Sequence, residues 1–130
     1  MMKVPDHVKT YDNELATFWF DEQGILCAIA KSTPRTLQKQ METYAFIHRI
    51  TGDKKICLLS DATHSGQQDK ETRDYSSGEM PKLFKAMAIL SDSPTGNFVS
   101  SLYMVLKHEP VPMRMFSNEQ EAHDWLKTFL

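Results

Sequence analysis

The sequence predicts an α/β domain with a mixed five-stranded sheet and about four helices, in the order ββαβαβαβα. The chain has 130 residues, the usual size of one domain, so residues 1–130 are expected to share one core. Its 41% hydrophobic and 25% charged residues are typical of a globular protein. After an initial hairpin, apolar runs of strand length alternate with segments of helical periodicity. This alternation favours parallel strands joined by right-handed helical crossovers.

The first half of the chain predicts a hairpin, a helix and a strand. In ELATFWFDEQGILCAIAKS, residues 14–32, apolar runs flank DEQG, where Gly24 can supply a positive φ. Thr33 or Thr36 can then cap a helix that Gly52 ends. The apolar stripe of this helix comprises Leu37, Met41, Tyr44, Ile47 and Thr51. The continuous apolar run KICLLSD predicts a third strand, covered on both faces or central in the sheet.

The second half continues the alternation. Residues 69–77 predict a helix, which Gly78 and Pro81 should interrupt before the strand KAMAILSD. TGNFVSSLYMVLKH predicts a helix at 95–108, and PVPMRMFS predicts the last strand. Ser117 and Gln120 predict a capping box for the final helix, in which His123 should pair with Glu119 on the surface. The apolar face of that helix comprises Ala122, Trp125, Leu126 and Phe129.

Charge and hydropathy exclude several classes of function. The formal net charge is -2, and no run of basic residues is longer than a pair, so we expect no nucleic-acid partner. No apolar stretch approaches the roughly 20 residues of a membrane span. The N-terminal stretch MMKVPDHVKTYDNE is too polar for a signal peptide. The sequence therefore predicts a cytoplasmic protein without a membrane span.

Cysteine and histidine positions argue against metal and cofactor chemistry. Cys27 and Cys57 lie in separate apolar runs, which indicates two reduced core residues rather than a CxxC pair. The five histidines, at positions 7, 48, 64, 108 and 123, form no HxxxH or HExxH pattern. We therefore expect no metal site and no cofactor.

The stretch CLLSDATHSGQQDKETRD, residues 57–74, contains the strongest candidates for chemistry. Asp61, His64 and Ser65 are close in sequence, but a catalytic triad normally converges from separate elements. Asp, Ser and Gly are also the residues that turns require. Asp69 is expected to cap the helix that follows. The sequence predicts no catalytic residue and no enzyme, and leaves these side chains as a candidate interaction loop.

Four passages carry a resemblance to a known family: FWFDEQGILCAIAK, ITGDKKICLLSDAT, AMAILSDSP and EPVPMRMFSNEQEAHDWLKTFL. Together they resemble the small bacterial SpoIIAA-like proteins of unknown function, which are relatives of the anti-sigma-factor antagonist (STAS) domain. The resemblance covers nearly the whole chain from about residue 14. It implies a STAS-like sheet with helices packed against it, and a regulatory or protein-interaction role.

The resemblance also implies where a regulatory serine would stand. STAS domains carry a phosphorylatable serine at the start of a helix, in a pattern similar to D-hydrophobic-S…D-S-S-G-L. With Asp61 on the first aspartate, Asp69 falls on the second and Lys70 on the acceptor position. Lysine cannot accept that phosphate, although an offset would bring Ser65 and Gly66 forward instead. The loop residues of interest are therefore Asp61, His64, Ser65, Asp69 and Lys70.

A second candidate surface is apolar. The predicted helix at 95–108 is apolar around nearly its whole circumference, and Phe46 and Ile50 point away from the stripe of the first helix. Loops of the same chain, a protein partner or an apolar ligand would cover such surfaces, but we expect a homodimer with twofold symmetry. The main hypothesis is a non-enzymatic interaction module; the alternative is a carrier of a small hydrophobic or lipid ligand, as in the distantly similar CRAL-TRIO domains. The proposed dimer or ligand surface comprises Phe98, Leu102, Val105 and Leu106.

Overall fold

A computed structural model describes residues 2–91 and 111–130. The strands are β1 (Tyr11–Asp12), β2 (Ala16–Phe20), β3 (Leu26–Ala30), β4 (Ile56–Asp61), β5 (Phe84–Leu90) and β6 (Met113–Phe116). The helices of the described part are α1 (Leu37–Thr51), α2 (Lys70–Leu83) and α3 (Glu119–Lys127). The predicted mixed α/β fold is confirmed. The helix predicted at 95–108 lies outside the described residues.

Within residues 2–91 and 111–130 the sheet contains six strands rather than the predicted five, in the order β1-β2-β3-β4-β5-β6. The additional strand, β1, has two residues, too few to show alternation in the sequence, and Tyr11 pairs with Phe18 of β2. β1, β2 and β3 pair antiparallel, whereas β3 to β6 pair parallel with their neighbours. The carboxyl ends of β3 and β4 therefore lie at the same edge of the sheet.

Alternate residues of the strands enter two separate cores. In β2, Phe18 belongs to one core and Trp19 to the other. In β4, Leu58 and Leu59 divide in the same way, which explains the continuous apolar run of that strand. Tyr44 and Ile47 of α1 and Leu83 of α2 complete the first core. Met2 and, from α3, Ala122 and Leu126 complete the second.

The hairpin and the two ends of α1 agree with the sequence prediction, but Met41 of the predicted apolar stripe is exposed, because Gln40 and Thr43 face the sheet in its place. Gly24 has φ 81°, and the carboxylate of Asp21 accepts the backbone N–H groups of Gln23 and Ile25, which fixes the turn between β2 and β3. Of the two candidate caps for α1, Thr36 is the one used, because its hydroxyl accepts the N–H of Lys39. Gly52, with φ 68°, ends the helix.

The prediction that Gly78 and Pro81 interrupt the second helix is wrong. α2 continues through both residues to Leu83. Pro81 lies in the last turn, where its missing N–H removes one hydrogen bond near a helix end rather than breaking the middle of a long helix. The buried side chains of Leu83 and Phe84 anchor the helix beyond it. Packing therefore outweighs the local propensity of two unfavourable residues.

Two details of the final helix differ from the prediction. The N-cap is Asn118, whose side chain accepts the N–H of Glu121, so the proposed box of Ser117 and Gln120 is displaced by one residue. His123 faces Asp21 of the hairpin, with Nε2 lying 3.2 Å from Oδ2. It therefore contacts the hairpin and not Glu119, the predicted partner on the surface. Tertiary contact to the hairpin decides the orientation of this histidine.

Phe46 and Ile50 are not free to form a second surface, contrary to expectation. Both are half-buried and pack against the first core. The ring of Phe46 lies 5.4 Å from that of Tyr11 and 6.1 Å from that of Phe18. The short strand β1, which the sequence did not predict, supplies part of this cover. These two residues therefore give no support to a dimer interface.

Candidate functional site

Two loops meet at the sheet edge where β3 and β4 end. The backbone N–H of Arg35 donates to the carbonyl of Gln67 over 2.9 Å, and Arg35 forms an isolated parallel bridge with Gln68. Gly66 lies directly against the first loop, because a Cβ at this position would be 2.1 Å from the carbonyl oxygen of Thr33. Only glycine permits this approach without movement of the backbone. The two loops are therefore joined along residues 33–35 and 66–68.

Asp61, the last residue of β4, begins the segment that leads into this junction. It is 4% exposed, its Oδ2 accepts the backbone N–H of Met2 over 2.8 Å, and its Oδ1 accepts that of Thr63 over 3.0 Å. Burial alone would raise the pKa of this carboxyl, but the hydrogen bonds from Met2 and Thr63 outweigh burial and lower the pKa. Asp61 thus ties the N-terminal segment to the end of β4.

Arg35 connects the junction to both helices on that face of the sheet. Its Nε donates to Ser65 Oγ over 3.1 Å, and its Nη1 donates to Gln40 Oε1 over 3.1 Å. Gln40 Nε2 in turn donates to the hydroxyls of Tyr44, at 3.2 Å, and Ser76, at 3.0 Å. Burial lowers the pKa of Arg35 and raises that of Tyr44. A continuous polar network therefore runs from the loops through α1 to α2.

The start of α2 carries exposed polar side chains on this fixed base. Asp69 caps the helix, because its Oδ1 accepts the N–H of Thr72 over 2.8 Å, and this hydrogen bond lowers the pKa of Asp69. Lys70 is the first residue of α2 and is exposed. We call the exposed set the α2 surface; it comprises His64, Gln67, Asp69, Lys70 and Glu71.

The predicted site residues have separate roles. Asp61 binds backbone N–H groups, and Ser65 accepts from Arg35, whereas His64 is exposed. The structure therefore does not bring Asp61, His64 and Ser65 together as a triad. The predicted cap at Asp69 is confirmed. The correspondence of Lys70 to a phosphoacceptor position stays a prediction.

The sequence did not point to Arg35, Gln40 or Ser76. Each is a common surface residue type, and no periodic pattern relates positions in the loop after β3, in α1 and in α2. Gln40 is buried although it is polar, and the sequence gives no sign of this beyond its position next to the apolar stripe of α1. The second predicted surface, Phe98, Leu102, Val105 and Leu106, lies outside the described residues.

In residues 2–91 and 111–130, no three or more His, Cys, Asp or Glu side chains form a group that could hold a metal ion. No helix in these ranges is long and apolar enough to cross a membrane.

Comparison with known proteins decides the family. A domain of unknown function, DUF7793, matches residues 18–130. The chain belongs to the DUF7793 family. No curated protein matches this DUF7793 chain. The chain is similar to the crystal structure of an uncharacterised protein of the DUF3478 family with a SpoIIAA-like fold, from Shewanella loihica PV-4. The TM-score is 0.56 and the sequence identity 18%, over 97% of this chain and 99% of that one. This similarity confirms the SpoIIAA-like fold that the sequence predicted.

Proposed function

We propose that this protein is a non-enzymatic, regulatory protein-interaction module that binds a protein partner through the α2 surface. The observation that carries the proposal is the joined pair of loops beneath that surface. Gly66 packs against the backbone of Thr33, and Arg35 holds both Ser65 and the carbonyl of Gln67. A surface that is already ordered before binding loses little conformational entropy on association.

The chemistry of the loop supports binding rather than catalysis. The carboxylate of Asp61 accepts hydrogen bonds from the N–H groups of Met2 and Thr63. Ser65 Oγ accepts from Arg35, a cation that does not act as a general base. A serine nucleophile would need a neighbouring base instead. The exposed residues of the surface include an acid, Asp69, beside a base, Lys70, a pattern suited to a partner with complementary charges.

The strand order gives further support. Ligand crevices of open α/β sheets form where the strand order reverses. Here the order runs from β1 to β6 without a reversal. The exposed helix start is therefore the more suitable binding element at this edge.

The described part of the chain does not favour the alternative, a carrier of an apolar ligand. A surface cavity of about 320 Å³ lies between the β1–β2 connection and α1. Leu15 and Phe46 are its hydrophobic lining residues, and the other seven are polar, five of them charged: Asp12, Glu14, Lys39, Glu42 and Arg49. Sites for small apolar molecules are lined mainly by hydrophobic and aromatic side chains. The carrier hypothesis therefore depends on the predicted surface at 98–106.

Site-specific photo-crosslinking in the native host tests the proposal. A photoreactive amino acid replaces Lys70 in the full chain, and in a matched control it replaces Lys127, an exposed lysine of α3 on the opposite face of the sheet. We expect an adduct of one discrete mass at position 70 and none at position 127. Asp69→Lys combined with the label at Gln67 should reduce the adduct, because it reverses a charge of the surface. The absence of an adduct at position 70, or equal labelling at 127, would contradict the proposal.

A further inference from the structure

The guanidinium of Arg35 is held in place but lacks a carboxylate partner. Its Nε and Nη1 donate to Ser65 and Gln40, both of which are neutral. Among the residues that the structure describes, no Asp or Glu oxygen lies within 4.0 Å of it. Arginines in such fixed, half-buried positions are usually paired with an anion. The positive charge of Arg35 is therefore uncompensated at short range.

One edge of this guanidinium remains accessible. Nη2 donates to no described group, and it is not fully buried. Nη2 therefore keeps some exposed surface, while hydrogen bonds from Nε and Nη1 to Ser65 and Gln40 hold the guanidinium in place. Nη1 carries two N–H groups, so its bond to Gln40 leaves the second one for a ligand. The hydroxyl of Ser65 lies beside Nε and accepts from it over 3.1 Å. Its own proton donates to the carbonyl of Gly66 over 3.5 Å, a long and weak hydrogen bond that a charged oxygen can replace.

The surrounding backbone adds to the positive potential. Arg35 directly precedes Thr36, the cap of α1, so the group lies at the positive end of that helix. The second arginine of the site differs: Arg73 donates to the carbonyl of Gln68, and its charge lowers the pKa of the nearby Asp69. Arg73 thus has a carboxylate nearby, whereas Arg35 does not.

We propose that Arg35 and Ser65 form a binding site for a single oxyanion group, of the phosphate or carboxylate class. The outer nitrogens of the guanidinium, Nη1 and Nη2, bind two oxygens of the ligand, and Ser65 Oγ–H contributes a further donor. The site is independent of the proposed protein partner: it does not require the α2 surface to bind anything.

NMR titration of the ¹⁵N-labelled protein tests this site. Sodium phosphate and, separately, sodium acetate are added at pH 7, with the ionic strength held constant by sodium chloride. We expect saturable shifts of the amides of residues 35–40 and 65–68, with a midpoint on the order of 1–10 mM, since a few charge-assisted hydrogen bonds supply affinity of this size. Saturable shifts with phosphate but not with acetate identify a phosphate-class ligand. Similar midpoints with both anions indicate that a carboxylate fits equally well.

Three variants make the test specific. Arg35→Gln should raise the midpoint at least about tenfold, because it removes the charged donor. Arg35→Lys keeps the charge without the planar fork and should give an intermediate midpoint, and it serves as the second variant if Arg35→Gln does not fold. Arg49→Gln, at the other end of α1, is the matched control and should leave the midpoint unchanged. Failure of both anions to saturate, or equal midpoints for the unmodified protein and Arg35→Gln, would overturn the proposal.

Discussion

Replacement of Gly66 by alanine should destabilise the protein far more than its place in a loop suggests. The new Cβ would lie 2.1 Å from the carbonyl oxygen of Thr33 and 2.9 Å from that of Ser32. Ordinary contact begins near 3.4 Å, so the two loops must separate by about 1.3 Å. The hydrogen bond from Arg35 to Gln67, now 2.9 Å, cannot survive such a movement.

The size of the effect follows from these contacts. Backbone strain from overpacking costs about 1–3 kcal/mol, and each of the two hydrogen bonds that Arg35 makes to the second loop contributes about 1 kcal/mol. We therefore expect Gly66→Ala to lower the free energy of unfolding by about 3–5 kcal/mol, a large share of the roughly 5–15 kcal/mol of a typical domain. Urea unfolding followed by the fluorescence of the buried Trp19 measures it.

Gly78 provides the matched control. It is an exposed glycine in α2, and a Cβ there meets no atom within 4 Å. Gly78→Ala should raise the free energy of unfolding by about 0.5–1 kcal/mol, because alanine is the better helix former. Thr33→Ala should not rescue Gly66→Ala, since the contact is with backbone atoms. A Gly66→Ala protein within about 0.5 kcal/mol of the unmodified one, or a rescue by Thr33→Ala, would refute the reasoning.

Four further predictions concern reactivity, pH, modification and assembly. Burial raises the pKa of Cys27 to about 12 and also raises that of Cys57, so neither thiol should react with Ellman's reagent at pH 8 before unfolding; rapid labelling of the native protein would contradict this. Because folding lowers the pKa of Asp61, its contribution to stability is complete above the unfolded pKa, near 4, and is lost as the pH falls through the lower folded pKa. Asp61→Asn should therefore weaken the fall in the free energy of unfolding below about pH 4, measured by urea unfolding at several pH values. An unchanged pH dependence would contradict this. Intact-mass measurement and peptide mapping of protein from its native host should find no stoichiometric phosphate, including at Ser65. If the apolar helix predicted at 95–108 forms a homodimer, Leu102→Glu should convert dimer to monomer in light scattering; an unmodified protein that is monomeric at micromolar concentration would exclude the dimer.

Much of the fold could be predicted because local patterns and tertiary structure agree. Residues 56–59 of the run KICLLSD are all apolar, since β4 contributes Leu58 to one core and Leu59 to the other. The hairpin was visible because Gly24 adopts the positive φ that its turn requires. The failures occurred where distant contacts override local preference. α2 extends past Pro81 because Leu83 is buried, and β1 exists because Tyr11 pairs with Phe18 and packs on Phe46.

The candidate site was only partly predictable. The cap at Asp69 follows from its position before a helix and could be read locally. The contact between Gly66 and Thr33, in contrast, joins two loops more than 30 positions apart, and a lone glycine in a turn gives no sign of its neighbour. The same is true of Arg35, whose partners Ser65 and Gln40 lie in different elements.

The order of the strands has a consequence for how this chain is made. Each strand from β2 onward lies beside the strand that preceded it in sequence. During synthesis, a newly emerged strand can therefore join an edge that is already present, and none has to be inserted between two strands that have already paired. The hairpin of β2 and β3, which closes over only a few residues, forms the first edge, and β4 adds to it after α1. After the hairpin, growth proceeds at one edge only, because the other edge is occupied by the short strand β1, which offers few unpaired groups to other nascent chains.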